Sequence, residues 1–119
     1  MNIEDKIIVL TNAKKIYRKE NINEWGICVS ISDAIRDFKG LDRCHRFPFG
    51  MNDIYSLIPE AKFDHINKLA SKYKFKKPKE WAEKSENFNS YWWDLSDSDN
   101  RIKALNAIIK ELKKEKSNE

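Results

Sequence analysis

The run from Trp25 to Phe38 limits the possible folds more than any other stretch, because its first half carries almost no charge and its apolar residues keep a helical period. Ile27, Ile31, Ala34, Ile35 and Phe38 fall at i, i+4, i+7, i+8 and i+11, one face of a 3.6-residue repeat, and Cys28 and Val29 widen that face. A face that wide needs neighbours on more than one side. The expectation is a central helix opened by Trp25-Gly26 and sandwiched between the first and last helices of the chain.

Those flanking helices are readable in the same way. Residues 3 to 18 form the first, with Asn2 as N-cap, acid at Glu4 and Asp5, and base at Lys14, Lys15, Arg18 and Lys19. Its face is Ile3, Ile7, Leu10 and Tyr17, with Ile8 and Ala13 beside it, and its basic end complements the helix dipole before any function is invoked. The last helix follows caps at Ser96, Asp97 or Ser98, carries the stripe Ile102, Leu105, Ile108, Ile109 and Leu112, and frays over residues 115 to 119.

Between them, Lys39 to Gly50 reads as a long loop without helical period. Asn52 or Asp53 can cap a short helix through Ile58, and Pro59 can open a longer one to Tyr73 that buries Phe63, Ile66, Leu69, Ala70 and Tyr73. After it, 73–77 fits either a short strand or a basic extended linker. The fold class expected is mainly α: a compact single-domain bundle of four to five helices over residues 1–119, with a long central loop and room for one short extended segment.

Charge and cysteine content narrow the function classes. With 23 basic and 19 acidic residues the net charge is +4, a mild attraction to anions that leaves most charges as ordinary surface. No apolar run is long enough to span a membrane, the N-terminus lacks a signal-peptide pattern, and two cysteines are too few for a disulfide scaffold, so a cytoplasmic protein without membrane contact is expected. Cys28, Cys44, His45 and His65 lack the paired spacing of a zinc site, and Cys44 beside His45 lacks the third group of a nucleophilic triad. With no phosphate loop or catalytic elbow either, no metal, cofactor or enzymatic activity is expected.

Two stretches do have the composition of a binding site. Arg43-Cys44-His45-Arg46-Phe47-Pro48-Phe49 joins two guanidinium groups to an imidazole and two rings, and Lys72 to Trp81 alternates base with aromatic. Placed with Tyr91, Trp92 and Trp93, the first stretch would make a basic aromatic pocket for a nucleotide-like anion: Arg43 and Arg46 on phosphate, His45 donating, Phe47 and the tryptophans stacking. Lys74, Lys76, Lys77 and Lys79 supply an alternative nucleic-acid surface. Another alternative is a protein module that docks exposed aromatics on an acidic partner, and a homodimer is compatible with either.

The run Trp25 to Ile31 behind a first helix, the late Tyr91-Trp92-Trp93, and the Arg101 to Ile109 stretch together resemble small accessory proteins of tailed bacteriophages and prophages. The resemblance covers the first helical hairpin and about the last thirty residues. It implies a host-takeover or anti-defence factor that occupies a host surface or sequesters a ligand in the host cytoplasm, and it carries over no catalytic residue.

Overall fold

In the computed structural model, residues 1–21, 27–43, 51–76 and 97–118 are described. The first helix, α1, spans Ile3–Ile16 and is capped as expected: the Asn2 side chain accepts from the Asp5 N–H at 2.8 Å. At its end the winding loosens into one π-type turn over Tyr17–Asn21. The remaining helices among the described residues are α2 (Ile27–Lys39), α3 (Met51–Leu57), α4 (Phe63–Tyr73) and α5 (Ser98–Ser117). A 3₁₀ turn at Pro59–Ala61 separates α3 from α4. The protein is mainly α, and no strand occurs among the described residues.

The helix at the centre is α1, not α2. It packs on α2 on one side and on α5 on the other, while α4 lies against α5. Sequence explains the exchange of roles. In α2 the fully or nearly fully buried apolar residues, Ile27, Ile31, Ala34 and Ile35, stay within about a quarter to a third of the helix circumference, and the buried residues that flank them, Ser30 and Ser32, are polar. In α1 the buried Val9, Leu10, Ala13, Ile16 and Tyr17 and the partly buried Ile3 and Ile7 cover about half of it, as two neighbours require. Three expected core positions are open: Ile8 is 50% exposed, Val29 37%, and Phe38, in register with the α2 face, 40%.

Helices α1 and α5 run antiparallel and are pinned along their length. Glu4 lies 3.7 Å from Lys116, Lys14 donates to the Asn106 oxygen at 2.9 Å, and Tyr17 donates to the Ser98 hydroxyl at 3.1 Å. Arg101, buried at the start of α5, donates to the same Tyr17 oxygen at 3.1 Å. The stripe expected on α5, Ile102, Leu105, Ile108, Ile109 and Leu112, is buried throughout, and the helix continues through Ser117.

The single helix expected from Pro59 to Tyr73 is broken at Lys62, whose extended backbone ends the 3₁₀ turn and starts α4. Proline disfavours the helical region for the residue before it, and Ile58 accordingly sits at φ −133°, ψ 77°. At the end of α2, Gly40 (φ +70°) closes the helix: its N–H reaches the Asp37 carbonyl, and Leu41 N–H reaches Arg36 at 2.8 Å.

A candidate anion groove between α4 and α5

The C-terminus of α4 is where the basic segment of the sequence acquires geometry. Lys74 caps the helix in the left-handed conformation (φ 57°), a position glycine fills at least cost, and its N–H reaches the Ala70 carbonyl. The chain turns so sharply there that no strand forms at Tyr73 to Lys76, and Phe75 tucks into the core at 8% exposure. Asn100 locks the turn. Its amide donates to the Lys76 carbonyl at 2.7 Å and its oxygen accepts from the Lys76 N–H at 3.0 Å, while its own N–H bonds the Asp97 side chain that caps α5. An Asn side chain can do this because its amide carries the same donor and acceptor pair as a peptide.

The result is a groove of about 310 Å³ lined by Tyr73, Lys74, Phe75, Lys103, Asn106, Ala107 and Lys110. Lys103 pairs with Asp99 one turn earlier at 3.0 Å, an exposed contact that competes weakly with a ligand. Lys74 and Lys110 have no carboxylate partner among the described residues. Beside the groove, the Tyr73 ring has three ammonium groups over it, Lys110 at 5.2 Å and Lys72 and Lys114 at 5.6 Å from its centre. Glu111 balances that end: it accepts from Lys72 and from the Tyr73 hydroxyl, both at 2.6 Å, which holds its carboxyl below the usual range and raises Lys72.

A second cationic group closes in from α1. Lys14 reaches Asn106, and burial together with Arg18, Lys113 and Lys15 holds its ammonium below the ordinary lysine range. Burial is the larger cause, and the three neighbouring cations add a local positive potential that a bound anion would relieve.

Of the residues singled out in the sequence, Arg43 occupies a different kind of site. Its guanidinium forks onto Asp37, with Nε to Oδ1 at 2.7 Å and a second bond from Nη2 to Oδ2, and lies 3.5 Å from Glu20. These bonds lower the Asp37 carboxyl and raise the guanidinium, so the fork proposed for phosphate is already filled by a carboxylate. His45, Arg46, Phe47, Tyr91, Trp92, Trp93, Lys77 and Lys79 lie outside the described residues, as does the side chain of Cys28. Lys74 and Lys76 are described, and Lys74 lies in the groove.

Sequence reading missed Lys14, Lys103, Asn106 and Lys110 as site residues. Lys103, Lys110 and Lys114 recur at i, i+7 and i+11, a straight row on one helix face, which was a signal open to reading. Among the described residues no three metal-binding side chains converge, and no helix is long and apolar enough to cross a membrane. No family model, no curated protein and no solved structure matches the chain.

Proposed function

We propose that this protein is a non-enzymatic binding protein for a nucleotide-like, phosphate-bearing anion, held in the groove between α4 and α5. The observation that carries the reading is the convergence of Lys74, Lys103 and Lys110 on one groove, two of them without a carboxylate partner among the described residues. Tyr73, Phe75 and Ala107 give the same groove apolar surface for a sugar or base. The strained backbone of Lys74 adds to this, since left-handed geometry at a non-glycine residue costs about 1–2 kcal/mol and such strain gathers at ligand sites. The setting comes from the sequence resemblance: a phage-type accessory factor in the host cytoplasm that neutralises a host factor by sequestering its ligand.

Calorimetric titration with linear and cyclic nucleotides tests the reading. Saturable heat that disappears in Lys103→Glu/Lys110→Glu is expected, and no heat with any of them from folded protein refutes it. The lysine row on α5 favours a second reading, in which the groove is one stop along a nucleic-acid backbone. That reading requires oligonucleotide affinity to fall steeply as salt rises.

A further inference from the structure

Two groove-lining side chains can either donate or accept, and the Tyr73 hydroxyl is already taken, donating to Glu111 at 2.6 Å and accepting from Lys114 at 3.2 Å, which leaves Asn106 to present a donor or an acceptor to a ligand. Lys14 decides which. Its ammonium can only donate, so the Asn106 atom it meets at 2.9 Å is the carbonyl oxygen. The NH2 is then the group that Asn106 has left to offer.

Resting on the function proposed above, we infer that Lys14 is a positioning residue that makes this groove a donor-only site, selective for a terminal phosphate monoester. With Lys14 in place, and the Tyr73 hydroxyl held by Glu111 and Lys114, the side-chain groups left to a ligand are three ammonium groups and one amide NH2, all donors. An ionised phosphate is all acceptor and matches them at every oxygen. A monoester carries close to two negative charges above its second pKa near 6, whereas a diester carries one, so the monoester gains more from the cluster. Lys14 is partly buried and stands among Arg18 of the π-type turn, Lys113 on α5 and Lys15 on α1, so it loses its proton at lower pH than an ordinary lysine. Above that point a neutral amine can accept as well as donate, and Asn106 is free to turn its oxygen outward.

The test uses the full chain with adenosine 5′-monophosphate, the 3′,5′-cyclic monophosphate and adenosine as probes, followed by calorimetry and by the side-chain NH2 signals of Asn106 in NMR. The monophosphate should bind at least fivefold more tightly than the cyclic diester, adenosine should not bind, and the Asn106 NH2 signals should move on titration. Lys14→Met should cut the preference for the monoester to below twofold and Lys14→Arg should restore it, with its loss at alkaline pH displaced upward. Asn106→Asp, which places a carboxylate in the groove, should abolish monophosphate binding. Monophosphate binding with unmoved Asn106 signals and an unchanged preference in Lys14→Met would overturn this inference alone. Absence of binding by all three probes would overturn the function proposed above along with it.

Discussion

Two basic regions of this molecule look alike in sequence and differ in structure. At the corner where the π-type turn meets α2, Arg43 is fully engaged by carboxylates, bonded twice to Asp37 and close to Glu20. Between α4 and α5, Lys74 and Lys110 meet no carboxylate among the described residues; of the acids nearby, Asp99 pairs with Lys103 and Glu111 is taken up by Lys72 and Tyr73. The first region is a clamp that ties Arg43 to the last turns of α2. The second is a surface with charge to spare. A guanidinium fork fits a carboxylate so well that it finds one within its own chain, whereas lysines spread along a helix keep their charge available for a partner.

The largest expected effect comes from reversing the open charges. Lys103→Glu/Lys110→Glu should weaken anion binding at least about a hundredfold, since it replaces attraction by repulsion in the groove. Thermal stability should change little because both side chains are exposed. Equal loss in a pair of reversals outside the groove, at Lys62 and Lys68, would show that the groove is not special.

A smaller effect separates strain from function at Lys74. Glycine at this left-handed cap should raise stability by about 1 kcal/mol in denaturant unfolding, while lowering anion affinity severalfold. A variant that gains stability and keeps affinity would remove Lys74 from the site.

The smallest effect is expected at the clamp. Arg43→Ala should cost about 0.5–1 kcal/mol, because the pair is partly exposed and screened by solvent, and should leave anion affinity within twofold. The sign of its pH dependence follows from Asp37, whose carboxyl is held low, first by the Arg43 hydrogen bond. The stabilisation is present above the ordinary carboxylate range and lost as pH falls through the lowered value. The stability gap between wild type and variant should therefore close in acid, as read from thermal melts across pH 2–7.

The contrast also explains what could be read without coordinates. Caps at Asn2 and Asp97 and the α5 stripe are local signals, set by a residue and its neighbours within a turn, and they stand as expected. Which helix lies at the centre depends on what fills the circumference: α1 buries apolar side chains around about half of its surface, whereas the apolar face of α2 is narrower and is flanked by the buried Ser30 and Ser32. The groove is non-local. Lys74 was recognised as part of a basic stretch, but its partners Lys103 and Lys110 come about thirty residues later, where their charges read as ordinary helix surface. Only the turn at Lys74, fixed by Asn100, brings the two stretches together.

The bond from Tyr17 to Ser98 spans 81 residues and joins the first helix to the last. Its consequence lies in time as well as space. During synthesis α1 emerges early and can pair with α2, but its other apolar side has no cover until α5 has left the ribosome. The fully buried Tyr17, the largest of the completely enclosed side chains, therefore waits for α5 to be made before it is enclosed. The groove waits with it, since half of its wall is α5, so the nascent chain cannot hold a ligand before the fold is complete.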